Sequence, residues 1–421
     1  FADLLLIKNV EFTAAGYQLP SIRGQYAISF TNHAYGAAMR AYGSPQAFFV
    51  GESIVDELAR SYGMDPFDFR YQNLYNEEST TPTGCKPDVL VLQGLLDQLR
   101  PAYQEARKTI AAFPAGKIKR GVGVAIGIYS SGDDGYDHSE AAVELQPDGK
   151  IALYSTWEDH GQGGDMGALT SVHEAFYQLG MPKSIDDFIF VTNDTARCPN
   201  SGYAAGSRSQ LMVGNAIWDA AENLVKAMKK EDGSFRSYAE MIAEDIPVYQ
   251  LGVFDTSTFD ICATDEQNAQ GNPFLAYMYA AFVTEVEVDT ETGKTTVKKI
   301  NAAYDVGKIG NRLIVEGQAY GGLAQGIGMA LSEDFEDLKA HTTLAKSGLP
   351  YIEDVPDDIT LYFQETPRPN SKFGCSGVGE VVMTAPHAAI INGIADACGV
   401  RIRHLPAYPE KVLAALQENR R

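Results

Sequence analysis

Apolar positions along the chain change their spacing several times, and each change marks an element. In residues 52–75, Ile54, Val55, Leu58, Ala59 and Tyr62 recur at helical spacing until Gly63 interrupts them. Asp65 followed by Pro66 then reads as the cap and first position of a second helix, where a residue lacking an N–H loses nothing. Residues 76–87 are polar with two prolines and read as loop, residues 90–108 as helix, and residues 111–119 as linker. Beyond them the period shortens. Residues 121–129 alternate small and branched side chains, 140–145 alternate as a half-buried strand does, Pro147-Asp148-Gly149 marks a turn, and residues 151–156 return as the partner strand.

Two strand–loop–helix units follow: a Gly-rich loop over 158–165 before a helix over 166–179, and a strand over 188–191 with a loop over 193–206 before a helix over 208–230. The pattern is weak from 231 to 270. Residues 277–289 and 295–305 predict a hairpin around Thr292-Gly293, followed by a helix over 313–331, loops over 339–358 and a strand over 359–363. Pro367 and Pro369 lead into residues 373–380, and a helix begins near Pro386. The fold class read from this order is mixed α+β, with no periodic repeat.

At 421 residues the chain exceeds one ordinary core, so two lobes are expected. Its 45% hydrophobic and 21% charged content suits a globular protein, and the apolar runs are broken before the ~20 residues that span a bilayer. A net charge of -21 argues against nucleic acid as a partner, which needs a basic surface, and requires any anion to be held by local donors. Cys85, Cys198, Cys262, Cys375 and Cys398 are odd in number, scattered and without a CxxC pair. Neither a disulfide framework nor a zinc site is expected, and a cytoplasmic location fits best. Residues 1–8 lack the features of a secretory signal. Because the first residue is Phe, a processed chain, a trimmed subunit or a fragment is expected.

Candidate chemistry concentrates in four segments: Arg40-Ala41-Tyr42-Gly43-Ser44-Pro45-Gln46, Glu158 to Gly163, Ala205 to Gln210, and Phe373 to Glu380. Glycines let a backbone approach a ligand, and N–H groups at a following helix start bind anions, so the second and third segments suit a phosphate. Glu380 follows Gly377-Val378-Gly379 with no adjacent Lys or Arg. Local sequence leaves two readings open: a base of raised pKa in a dry cleft, or a carboxylate placed in a first helical turn by the dipole. His160 beside Asp159 lacks zinc-site spacing, so a zinc site is not expected. Ser376 falls short of a G-x-S-x-G elbow, and nothing nearby activates Cys375.

Taken together, Arg40-Ala41-Tyr42-Gly43, Asp159-His160-Gly161-Gln162-Gly163, Gly206-Ser207-Arg208, Gln325 in Ala324–Gly328, and Gly377-Val378-Gly379-Glu380 resemble the molybdenum hydroxylases. This is the family of xanthine dehydrogenases and aldehyde oxidoreductases, and the bacterial aldehyde-oxidising branch is the nearest likeness. The resemblance runs from about residue 18 to the end. It implies a two-lobed molybdopterin-binding architecture, the C-terminal half of the large subunit, with residues 1–115 completing a first molybdopterin-binding domain and 116–421 forming the second. It further implies a molybdenum-molybdopterin cytosine dinucleotide cofactor met by His160, Gly161, Gln162, Gly163, Gly206, Ser207, Arg208, Gln325, Gly377, Val378 and Gly379. Arg40 would border the metal pocket, Tyr42 would line the substrate channel, and Glu380 would be the catalytic base.

The implied reaction oxidises an aldehyde to a carboxylic acid with water as the oxygen source. The family's upstream half and iron–sulfur region are missing from the chain, so the resemblance implies an N-terminal molybdopterin-binding polypeptide and an iron–sulfur subunit as partners, a flavin (FAD) subunit remaining an open option. Two alternatives stand beside this reading: the same chemistry on an N-heterocycle of purine or nicotinate type, and a non-catalytic cofactor-binding scaffold.

Overall fold

The computed structural model describes residues 2–29, 31–32, 38–192 and 194–419. Phe1, at the start of the segment read for a secretory signal, and Asn193, first residue of the expected loop to Gly206, lie outside the described residues. In chain order, α1 (Ala2–Phe12), α2 (Ser44–Ser61), α3 (Pro66–Gln72) and α4 (Leu92–Ala111) precede the strands β1 (Ile118–Ser131), β2 (His138–Leu145) and β3 (Ile151–Tyr154). Then come α5 (Gly164–Gln178), β4 (Phe188–Val191), α6 (Ser209–Met228), α7 (Tyr238–Ala243) and β5 (Tyr249–Asp255). The hairpin β6 (Ala276–Asp289) and β7 (Thr295–Asp305), α8 (Arg312–Leu331), β8 (Asp358–Gln364), α9 (Pro386–Cys398) and α10 (Pro409–Glu418) complete it.

Two four-stranded sheets organise these elements, one in the order β1-β6-β7-β8 and the other β4-β3-β2-β5. Each has three antiparallel-linked strands and one parallel edge, β8 against β7 and β4 against β3. A larger core joins the first sheet to α4, α8 and α9 and takes in Phe12, Phe48 and Phe67. A smaller core packs α5 and α6 on the second sheet around Trp157, Phe176 and Ile217. The residues around the boundary expected near 115 are exposed, and the elements on either side of it share the larger core, where Leu95 and Leu99 of α4 are buried with Phe282 of β6 and Ile300 of β7. By packing, the chain divides between its two sheets.

Close approach explains how the C-terminal segment is placed. A Cβ added at Gly123 of β1 would overlap the Ala389 carbonyl oxygen of α9, so glycine there seats the helix directly on the strand. The stretch Val381–Cys398 has the length and hydropathy of a membrane span, but it is packed inside this core.

Helix α2 starts at Ser44, earlier than the spacing from residue 52 suggests, with Gly43 in the left-handed region and Pro45 in its first turn. The elements α1, α7, β5 and α10 were not legible as periodic runs. Strand β5 lies in the weakly patterned region because it is the edge partner of β2 and exposes Tyr249, Leu251 and Val253.

Candidate active site

A cleft of about 1120 Å³ opens where the two sheet units meet. Its walls are the turn before α2, the loops before α5 and α6, one face of α8, the end of β1 and the segment before Glu380. All four sequence segments contribute to it, although Arg40 and Glu380 stand near opposite ends of the chain.

Glu380 sits at the inner end, partly open to the cleft. Its Oε1 accepts the Ala41 N–H at 3.2 Å and its Oε2 accepts the Ser207 hydroxyl at 2.8 Å. Tyr129, buried at the end of β1, donates a third hydrogen bond. Burial pushes the Glu380 carboxyl above its ordinary value; the three donors and the more distant Lys8 pull the other way without cancelling it.

Arg40 spans the same end of the cleft. Its Nε donates to the Gly379 carbonyl, one Nη to Gln325 Oε1 at 3.1 Å, and the other to Gln318 Oε1 at 2.8 Å. Burial lowers the guanidinium's pKa, an effect that Glu380 and Tyr304 oppose. Tyr42 and Val378 line the cleft as well.

The loop before α5 is held by its own side chains. Asp159 accepts the N–H groups of Gly161 at 2.6 Å, Asp165 at 3.2 Å and Gly163 at 3.4 Å. Partial desolvation raises the Asp159 carboxyl, but these backbone donors outweigh it and hold the group below the usual carboxylate range. Gln162 folds back on Glu158 and His160, and His160 is exposed at the rim, 3.5 Å from Glu158. Gly161 has φ +95° and faces open space. The backbone therefore presents a bare surface to the cleft.

Arg208 requires a correction to its expected contact with a cofactor. Only 1% exposed, it gives both Asp137 oxygens its Nε at 3.0 Å. The remaining donors go to Asp137, Ser139 Oγ and the carbonyls of His138, Ser201 and Tyr203. A guanidinium has five N–H groups, and all are engaged within the protein. Arg208 clamps the loop before α6 onto β2; it has nothing left for a ligand. Gly206 and Ser207 stay at the cleft, and the Ser207 hydroxyl turns to Glu380. Neither nucleophile reading gains support: Ser376 donates to the Val306 carbonyl at 2.8 Å, and burial raises the Cys375 thiol.

Sequence reasoning missed Tyr129, Gln318 and Ser131. Tyr129 and Ser131 end a strand whose alternation marks them as core, and Gln318 precedes Gln325 on α8 by two turns, the one signal that could have paired them.

Residues 98–356 match the model of a molybdopterin cofactor-binding domain, and residues 1–74 match a second model of the same description. The chain belongs to this family. Aldehyde oxidoreductase from Megalodesulfovibrio gigas is 48% identical over 99% of the chain and 46% of its own length. The xanthine dehydrogenase molybdenum-binding subunit from Escherichia coli is 28% identical over 93% of the chain and 55% of its own length. The crystal structure of aldehyde oxidoreductase from Desulfovibrio desulfuricans superposes with a TM-score of 0.95 at 50% identity, covering 99% of this chain and 45% of that one. The chain spans about half the length of the relatives it matches.

The cleft suits a molybdopterin. Among the described residues no group of three or more His, Cys, Asp or Glu is placed to hold a metal ion. The lining offers amide, hydroxyl and guanidinium groups, which suit an organic group rich in nitrogen and oxygen. Open space at Gly161 gives such a group room against the backbone.

Proposed function

We propose that this chain is the catalytic C-terminal part of a molybdenum hydroxylase subunit that oxidises an aldehyde to a carboxylic acid, with water supplying the oxygen. The observation that carries this reading is Glu380: a carboxylate of raised pKa at the inner end of a family cofactor cleft, fixed by three donors and facing Arg40 and Gln325.

Bound molybdenum-molybdopterin, in its cytosine dinucleotide form, supplies Lewis acidity and a two-electron sink. Gln325, Gln162, Gly161, Gly163, Gly206, Gly377, Gly379, Ser207 and Val378 line the cleft and would hold that group, with His160 at its margin. Arg40, anchored to both α8 glutamines, sets the edge of the metal pocket, and Tyr42 lines the route of the substrate. Glu380 takes a proton from the water-derived oxygen nucleophile. Its raised pKa makes it a better acceptor than an exposed carboxylate, and the Ala41, Ser207 and Tyr129 donors favour its charged form against the effect of burial.

Aldehyde is preferred as substrate on the 48% identity to an aldehyde oxidoreductase. The rest of the activity resides in an N-terminal molybdopterin-binding polypeptide and iron–sulfur clusters, consistent with the share of each relative that this chain spans. All five cysteines are free thiols, in keeping with a cytoplasmic setting.

Glu380→Gln in the assembled enzyme tests the reading. Aldehyde turnover should fall by at least about 100-fold, the contribution of a positioned base, while molybdenum and cytosine nucleotide content stay at wild-type levels. Retained turnover would reject Glu380 as the base.

A further inference from the structure

Ser207 occupies a backbone position that its side chain does not favour. Its φ is +51°, in the left-handed region, where an L-residue other than glycine is strained by roughly 1–2 kcal/mol. The flanking structure enforces that conformation. The Ser131 hydroxyl donates to the Ser207 carbonyl at 2.9 Å and accepts the Gly377 N–H at 3.1 Å, while the Gly132 N–H donates to the Gly206 carbonyl at 3.1 Å. Opposite it, Gly377 and Gly379 carry no side chain: a Cβ at Gly377 would overlap the Ser207 carbonyl oxygen, and one at Gly379 would come within 3.3 Å of its hydroxyl. Strained backbone that its surroundings over-determine is a mark of function. The result of the strain is a hydroxyl 2.8 Å from Glu380 Oε2.

From this geometry we infer that Ser207 is a positioning residue that orients the Glu380 carboxylate and favours its charged form, its strained turn being locked by Ser131. The inference rests on Glu380 as the base and adds a role to Ser207 beyond any contact with the cofactor. The groups facing Glu380 are Ser207 from the loop before α6, Tyr129 from β1, Lys8 from α1, and Arg40 with the Ala41 N–H from the turn before α2. Tyr129 is held well above its ordinary pKa by burial and stays a donor throughout the working range. Of the two hydroxyl donors, only Ser207 depends on a strained backbone.

The test measures the ionisation of Glu380 directly. Infrared titration of the cofactor-free complex, with the Glu380 band identified by its loss in Glu380→Gln, is run on wild type, Ser207→Ala and Ser207→Gly. Losing a donor to the charged form raises the carboxyl pKa, so both Ser207 variants should move the band's midpoint upward by about one pH unit. In the loaded enzyme the acidic limb of kcat/KM should shift by the same amount, an approximately tenfold loss well below the midpoint. Glycine relieves the backbone strain and alanine does not, so equal shifts in the two variants assign the effect to the hydroxyl. An unmoved midpoint in both variants, or a shift in alanine that glycine abolishes, overturns the inference. Turnover lost in Glu380→Gln with the Ser207 midpoints unmoved would reject this inference alone. Retained turnover in Glu380→Gln would instead reject the base.

Discussion

Replacing Arg208 separates two roles for the same residue, because a clamp and a cofactor ligand fail in different ways. In Arg208→Met the methionine fills the side-chain volume, but the Asp137 carboxylate, 4% exposed, keeps only the N–H groups of Asp133 at 3.1 Å and His138 at 2.7 Å. Ser139 Oγ and the carbonyls of His138, Ser201 and Tyr203 lose a donor as well. Breaking a buried pair and stranding its partner costs about 3–5 kcal/mol, a large part of the ~5–15 kcal/mol that stabilises a domain. Arg208→Lys keeps the charge but not the fork, and two or more lost hydrogen bonds at ~1 kcal/mol each give about 2–3 kcal/mol. Adding Asp137→Asn to Arg208→Met removes the stranded charge and should recover part of the loss.

The assay is urea unfolding of the cofactor-free protein. Trp157 and Trp218 both pack in the smaller core and report its unfolding by fluorescence. A clamp predicts a lower midpoint in Arg208→Met without any cofactor present. An unchanged midpoint combined with lost molybdenum binding would refute the clamp and restore Arg208 as a ligand.

Two further outcomes follow from the same structure. Glu11 is buried against Lys8 and Thr264, and burial raises its carboxyl from 4.5 to about 7. The folded state then holds a proton that the unfolded state has released, so this contribution is full below the unfolded value and is lost as pH rises through 7. Glu11→Gln should gain on wild type by on the order of 3 kcal/mol from about pH 4 to about pH 8 in denaturant titrations, and a constant difference would contradict the assignment. Gly377→Ala forces a methyl group against the Ser207 carbonyl; it should cost about 1–3 kcal/mol in thermal unfolding and disturb the Glu380 titration, whereas a neutral result would mean the turn yields easily.

Much of the architecture follows from local pattern. The helices α3, α5, α6 and α8, the β6–β7 hairpin and the two strand–loop–helix units are readable because their periods, caps and turn residues act over a few positions. The elements that escaped, α1, α7, β5 and α10, are short or lie at edges where partners elsewhere in the chain supply the stability. Residues of the site were legible as four glycine-rich segments, and Glu380 as a carboxylate without a local partner. Sequence could not show that Arg208 spends every donor on Asp137 and its neighbours, because that depends on β2 reaching the loop before α6. Nor could it pair Ser207 with Glu380, 173 positions away. Composition and spacing determined which groups were available to do chemistry. Tertiary packing decided which of them face the cleft and which are consumed in building it, since desolvation and hydrogen-bond satisfaction depend on contacts that no local window contains.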